Sequence, residues 1–243
     1  MNLVLDIGNT FSKYYIFKFD KITSQGFWKT LDVIQKFKIW IKNNQECESI
    51  IISDVFGVNI SFFESKTKCK IVWISSSINL PFKIRYKTPE TIGADRLSLI
   101  AAAAVQYPKK NCLVIDLGTC ITYDFINDKG VYLGGSISPG FSIRYMSLNK
   151  YTSKLPKLEF SYPNNILGNS TEKSIHSGVY FGVIGEIKNQ ISDYESKFQN
   201  LTVILTGGDA HKLSKQIKNS IFANHIFLAN GLFAVLKLNI VKF

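Results

Sequence analysis

Cysteine is scarce in this chain of 243 residues, and the four present, Cys47, Cys69, Cys112 and Cys120, form no CxxC pair and have no accompanying histidine pattern. Neither a zinc site nor a disulfide framework is expected from such spacing. Histidine is scarcer still. His176, His211 and His225 have no partners at ligand spacing and read as core or surface residues rather than catalysts. No window of 18 apolar residues occurs, so no membrane-spanning helix is expected. The first residues open directly into a strand, with Asp6 where a signal peptide would carry its apolar stretch, and a cytosolic (cytoplasmic) location is expected. The net charge of +11 invites a nucleic-acid reading, but the lysines are scattered and the basic runs are no longer than pairs such as Lys109-Lys110. No nucleic-acid partner is therefore expected, and a polyanionic nucleotide is a sufficient use for the charge. Neither GxxxxGK[ST] nor GxGxxG occurs, so P-loop and Rossmann folds lack their fingerprints.

Present instead are two matching turns, Asp6-Ile7-Gly8-Asn9-Thr10 and Asp116-Leu117-Gly118-Thr119, 110 residues apart. Each follows an apolar strand-like run and precedes another, Lys13 to Phe19 in the first case and Ile121 to Ile126 in the second. One copy alone would read as an ordinary turn. Two copies in matching context imply a chain of two similar halves that offer hairpin turns to one phosphate-bearing ligand. Glycine lets the backbone approach a phosphate, and N–H groups and a Thr hydroxyl donate to its oxygens. The aspartate repels bare phosphate and makes sense only with a cation, or a water held by one, in between.

Periodicity and turn chemistry outline the rest. Strands are expected at 2–7, 13–19, 26–29, 49–53 and 70–74, with a helix over 31–43 that turns Leu31, Ile34, Phe37 and Ile41 inward, and a helical stretch at 59–66. Residues 75–91 read as a long loop, followed by a helix from Gly93 to just before Pro108. The second half repeats the opening with strands at 111–116, 121–127 and 131–134. A Gly134–Gly140 segment, a helix to Lys150 and a loop to Asn169 come next. A long helix from Thr171 carries a stripe of Ile175, Val179, Val183, Ile187, Ile191, Tyr194 and Phe198, with Gly182 and Gly185 on another face. The end reads as strand 201–206, Gly207-Gly208, a helix, a short strand 225–228 and a final helix from Ala229. The expected division is 1–110 and 111–243.

Two further constellations bear chemistry. Gly207-Gly208 suits an adenosine or ribose laid against bare backbone. Gly93-Ala94-Asp95-Arg96 places a carboxylate and a guanidinium at a helix N-terminus, where partial positive charge gathers. By spacing alone, an ordinary capping aspartate with a surface arginine is the better explanation.

With these residues in view, the chain resembles the type III pantothenate kinases of the actin/hexokinase/Hsp70-like ATPase superfamily. Asp6-Ile7-Gly8-Asn9-Thr10-Phe11-Ser12-Lys13 is similar to that family's first phosphate motif, and Asp116-x-Gly-Thr119-x-x-Thr122-x-Asp124 to its second. Tyr86-x-x-Pro89-x-x-x-Gly93-Ala94-Asp95-Arg96 resembles its substrate motif. Gly134-Gly135-x-Ile137-x-Pro139-Gly140 follows in place, Asn169-Ser-Thr171 resembles the segment closing the pantothenate pocket, and Thr206-Gly207-Gly208 the adenosine motif. The likeness spans 2 to about 236, and Cys120 and Ser174 depart from it by standing where alanine is commoner. It implies an α/β fold of two ribonuclease H-like (actin-like ATPase) halves, each a mixed sheet flanked by helices, around a central cleft. It implies ATP-dependent phosphorylation of pantothenate, with Asp95 as the base and Arg96 neutralising charge or orienting substrate. Tyr86, Gly93, Ala94 and Thr171 would contact pantothenate, and Asp6 through Lys13, Thr119, Gly207 and Gly208 would hold ATP. Asp6 would hold Mg²⁺ through water and Asp116 a monovalent cation, K⁺ or NH₄⁺. A homodimer is also implied, Thr171 of one subunit covering its partner's site. The alternatives are a sugar or carboxylate kinase of the same superfamily, which should lack Gly-Ala-Asp-Arg, and a non-catalytic transcription accessory factor, which should lack Asp95.

Overall fold

The apolar run Leu3-Val4-Leu5 forms the core of the first strand. Leu3, Val4 and Leu5 are fully buried in β1 (Asn2–Ile7), and β2 (Phe11–Lys18) and β3 (Lys21–Lys29) extend it as an antiparallel meander. In this computed structural model, residues 1–213, 216, 217, 220–223 and 226–240 are described. A short 3₁₀ turn, Thr30–Asp32, leads into α1 (Val33–Asn43), which buries Val33, Phe37 and Ile41. Of the expected stripe, Phe37 and Ile41 are inward, while Leu31, which falls in the 3₁₀ turn ahead of the helix, and Ile34 are exposed, and Val33 fills the first inward position instead. Then come β4 (Ser49–Asp54), α2 (Ile60–Ser65) and β5 (Lys70–Trp73). The long loop that follows is not featureless: it holds β6 (Lys83–Ile84) and a 3₁₀ turn at Pro89–Thr91 before α3 (Ala94–Gln106).

The second series is β7 (Cys112–Leu117), β8 (Cys120–Ile126), β9 (Val131–Pro139), α4 (Phe141–Lys150), α5 (Thr171–Lys197), β10 (Thr202–Thr206), β11 (Ile221–Phe222) and α6 (Ile226–Ile240). The third strand of this series runs through Gly134-Gly135 to Pro139 rather than ending at 134. Glycine permits the continuation: a Cβ on Gly135 would fall on the backbone carbonyl of Tyr123. After Gly207-Gly208 only a 3₁₀ turn, Ala210–Leu213, is present among the described residues. The strand expected at 225–228 is not observed. Residues 226–228 are the first turn of α6, and His225 lies outside the described residues.

The chain forms two compact units. Unit 1 comprises Met1–Pro108, Gly130–Tyr132 and the chain from Ile226. Its sheet has the order β3-β2-β1-β4-β5, with β1, β4 and β5 parallel. Within this unit β6 pairs with Val131 and Tyr132. The α6 helix therefore does not belong to the half in which it falls by chain order. It packs on α3, where Ala101, Ala102 and Ala103 are fully buried and Gly231 meets the Ala102 backbone, and Phe233 stacks on Phe17 at 4.0 Å. Unit 2 comprises Lys109–Lys129 and Leu133–His225, with strands in the order β11-β10-β7-β8-β9. Its core is made of Leu113, Ile115, Tyr123 and Phe125 from the sheet and Val183 and Ile187 from α5. The expected α5 stripe is inward, and Gly178, Gly182 and Gly185 are exposed.

Candidate active site

In unit 1, β1 ends where its side chains leave the core. Asp6 lies opposite Lys13 on β2 and opposite Ser53 on β4, so the three share one face at one end of the sheet. Asp95, 89 positions along the chain, is brought into the same electrostatic neighbourhood. Burial pushes the Asp6 carboxyl up to about 6; Lys13 and the Ser53 hydroxyl oppose that shift, and the Asp95 charge adds to it. Tyr15 is also close: its phenol is pushed up to about 12, first by burial and then by the Asp6 charge.

The turn between β1 and β2 is anchored from beneath. Gly8 N–H donates to the Phe11 carbonyl at 3.2 Å, the Thr30 hydroxyl donates to the Gly8 carbonyl at 2.8 Å, and Thr30 N–H donates to Thr10 O at 3.0 Å. Ser12 is fully buried with its hydroxyl 3.1 Å from that of Thr30, so its side chain supports the turn and faces away from solvent. Asn9 and Thr10 are exposed at the tip, Ile7 is buried, and Phe11 is exposed and stacked edge-on against Phe27.

Asp95 sits in the first turn of α3. Its Oδ1 accepts the Arg96 N–H at 2.8 Å and lies where a Cβ on Gly93 would be, 2.5 Å away. The N-cap of this helix is Gly93, with no side-chain cap bond, and Arg96 is buried, so a capping aspartate with a surface arginine is not what is observed; the Arg96 N–H instead holds the Asp95 carboxylate in place. Glycine at 93 leaves room for it, Ala94 opens the helix, and Arg96 is buried. Tyr86 stacks on Tyr132 with ring centres 6.2 Å apart and planes 15° apart.

In unit 2 the second turn repeats the first. Gly118 N–H donates to the Cys120 carbonyl at 3.0 Å, and Gly140 N–H donates to Thr119 O at 3.0 Å. Gly207 has φ of +96°, and a Cβ there would lie 2.3 Å from the Leu117 carbonyl and 2.4 Å from Asp116 Oδ1. Only glycine fits so close to the turn. Asp209 N–H donates to Leu117 O at 2.9 Å, and Gly208 O accepts from His211 Nδ1 at 2.8 Å. Asp116, Thr119, Gly207 and Gly208 are therefore gathered at one edge of this unit. Thr122 lies opposite Asp116 on β8, and its buried hydroxyl has no protein partner.

Thr171 starts α5 and lines a cavity of about 960 Å³ with Asn169, Ser170, Arg144, Leu155 and Gly178. Arg144 is held there by Glu186 and by the Pro139 carbonyl, to which its Nε donates at 2.8 Å. Glu186 also accepts from Tyr123 and Ser138 hydroxyls. Burial pushes the Glu186 carboxyl up, but the Ser138, Tyr123 and Arg144 hydrogen bonds outweigh it and hold the carboxyl below its usual value.

Sequence reasoning passed over Ser53, Thr30, Arg144 and Glu186. No motif marks them, and only strand register and helix packing bring them to these places. Among the described residues no cluster of three or more His, Cys, Asp or Glu forms a ready metal cage. No helix is long and apolar enough to cross a membrane, again among the described residues.

Comparison with known proteins shows the family: the chain belongs to the type III pantothenate kinases. The family model for type III pantothenate kinase matches residues 2–193. A type III pantothenate kinase from Christiangramia forsetii is 42% identical over 98% of this chain and 99% of its own. One from Flavobacterium johnsoniae is 40% identical over 96% of both chains. Among solved structures, a putative 2-dehydro-3-deoxygalactonokinase from Sinorhizobium meliloti aligns over 97% of this chain and 98% of its own, with TM-score 0.65 and 11% identity. A putative Baf family transcriptional activator from Campylobacter jejuni aligns over 97% of both, with TM-score 0.61 and 22% identity. At such identities these two structures speak for the fold alone, an α/β architecture shared with sugar kinases.

Proposed function

From the chain's membership of the type III pantothenate kinase family we infer that it transfers the γ-phosphoryl group of ATP to the 4′-hydroxyl of pantothenate, giving 4′-phosphopantothenate at the start of coenzyme A biosynthesis. The structural observation that best supports this reading is the meeting of Asp6, Lys13 and Asp95 within unit 1, from motifs far apart in sequence.

Phosphoryl transfer through a loose transition state needs positioning and charge neutralisation more than covalent chemistry. In this reading Asp95 orients the substrate hydroxyl and accepts its proton as transfer proceeds, with its rotamer already set by the Arg96 N–H. Arg96 holds negative charge at the reacting end. Tyr86, Gly93 and Ala94 contact pantothenate. The backbone of residues 6–13, the Thr10 hydroxyl and the Lys13 ammonium bind ATP phosphates, as does Thr119, while Gly207 and Gly208 take the adenosine.

The residues fit cations at two places. Asp6 suits Mg²⁺ held through water, since a buried carboxylate lifted by desolvation gains from an approaching cation. Mg²⁺ supplies neutralisation of phosphate charge. Asp116, with the orphaned Thr122 hydroxyl across the hairpin, offers hard oxygens to K⁺ or NH₄⁺. Higher activity in K⁺ than in Na⁺ at matched ionic strength is expected; equal rates would remove Asp116 from this role.

The working unit in this reading is a homodimer in which Thr171 covers the partner subunit's pantothenate. The cavity around Thr171 and the exposed glycine face of α5 support it. The function itself is tested by ADP release with pantothenate, against sugars and acetate as acceptors. Turnover with pantothenate alone is expected, and preference for a sugar or acetate would replace this reading.

A further inference from the structure

Two of the four cysteines are neighbours in space. Cys47 lies two residues before β4 and Cys69 one residue before β5, and the two strands run parallel with Ser49 paired to Lys70. The Lys70 N–H donates to the Glu48 carbonyl, which draws the two strand entrances together. The Cys69 thiol donates to the Cys47 carbonyl at 2.8 Å. The Cys47 thiol donates to the Ser49 carbonyl at 3.6 Å, and the two thiols lie within each other's electrostatic reach. Cys47 is buried and Cys69 partly exposed. Cys112 and Cys120 offer no such pair: they stand at opposite ends of the β7–β8 hairpin, since Cys112 is paired with Ile126.

We propose that Cys47 and Cys69 form a redox modification site, a dithiol that closes to a disulfide when it meets a small disulfide such as oxidised glutathione. The Cys69 thiolate attacks one glutathione sulfur and displaces the other half as glutathione thiolate, leaving a mixed disulfide on Cys69. Cys47 then loses its proton to solvent and attacks the Cys69 sulfur. The new S–S bond joins the two cysteines, and the second glutathione leaves as thiolate. Two protein thiols are oxidised and one small disulfide is reduced to two thiols. Partial exposure makes Cys69 the entry point. Burial, reinforced by Cys69, pushes the Cys47 thiol up to about 12, which keeps it protonated and inert until the mixed disulfide stands beside it.

The bond would staple the entrance of β4 to that of β5 and close the segment containing α2. The opposite end of β4 carries Ser53, so the staple acts on the stability of unit 1 without touching the Asp6 neighbourhood. Neither thiol belongs to any group assigned to the phosphoryl-transfer chemistry, and the inference stands apart from the functional reading.

The test treats the reduced full-length protein with oxidised glutathione at mildly alkaline pH, then quenches with acid. Free thiols are counted, intact mass is measured and peptides are mapped, with folding checked by circular dichroism. The expected result is a fall from four thiols to two, a mass lower by two hydrogens and a cross-linked peptide joining Cys47 to Cys69. The Cys47→Ser variant should instead stop at one glutathionyl adduct on Cys69. Wild-type protein that keeps four thiols, or that holds the adduct on Cys69 without closing it, overturns the proposal.

Discussion

At the scale of single residues, the Asp95 carboxylate has an observed backbone role and, in the proposed mechanism, a chemical one. Its Oδ1 is committed to the Arg96 N–H, and asparagine can keep that bond through its own side-chain oxygen while losing the base. Asp95→Asn is therefore expected to fold normally, to bind ATP as wild type does, and to lose about 10²–10⁴ in kcat. Near-normal turnover would remove Asp95 from the mechanism. Asp6 makes a pH prediction. Its folded pKa, about 6, lies above the ordinary 3.8, so the folded state holds this proton more tightly than the unfolded state. The associated stability is present below about pH 4 and is lost as pH rises through about 6. In Asp6→Asn that loss is absent. Without nucleotide the variant should be more stable than wild type at about pH 8, by up to about 3 kcal/mol, with little difference near about pH 4. That figure is an upper bound because Asp6 keeps some solvent contact. Urea unfolding at the two pH values measures it, and a difference independent of pH would refute the assigned cause. Both aspartates are visible in the sequence as motif members. Their mutual influence is not, because it depends on β1 and α3 bringing positions 6 and 95 together.

Elements show where pattern reasoning carries and where it stops. The α5 stripe from Ile175 to Ile187 was legible because a helix that buries one face repeats its apolar residues at a fixed period. The α1 face is read correctly at Phe37 and Ile41 and missed at its start: Val33 is buried whereas Leu31 and Ile34 are exposed, since Leu31 lies in a 3₁₀ turn that no periodicity marks. β9 was cut short at Gly134 because glycine pairs usually end strands. Here Gly135 is required by the Tyr123 carbonyl on the neighbouring strand, a fact of packing rather than of local preference. The same principle of close approach governs α3 against α6. A methyl on Gly231 would stand 2.5 Å from the Ala102 backbone nitrogen, and backbone cannot turn aside as a side chain does. Gly231→Ala is expected to cost about 1–3 kcal/mol, read as a fall of roughly 2–10 °C in Tm. An unchanged Tm would mean that the two helices separate freely.

For the whole molecule, the two-unit division has a functional corollary in the proposed homodimer. Thr171 begins α5 at a cavity in unit 2, and Asp95 lies in unit 1. If each active pocket takes Asp95 from one subunit and Thr171 from the other, two inactive variants complement each other. Mixing Asp95→Asn with Thr171→Trp subunits in equal amounts should rebuild one intact site in each mixed dimer, restoring about a quarter of wild-type activity. No recovery after demonstrated subunit exchange would show that each pocket belongs to one chain.

The sequence by itself determined most of the regular elements, the twin Asp-x-Gly turns, the Gly-Ala-Asp-Arg motif and the family, because each is written in local residue chemistry at short spacing. Tertiary structure decided which unit α6 joins, that Ser12 turns inward while Thr30 anchors the first turn, that Ser53 and Lys13 flank Asp6, and that Arg144 is held by Glu186. These are relations between residues far apart along the chain. They arise from strand register and close helix packing, for which no local pattern exists until the sheets and helices have assembled.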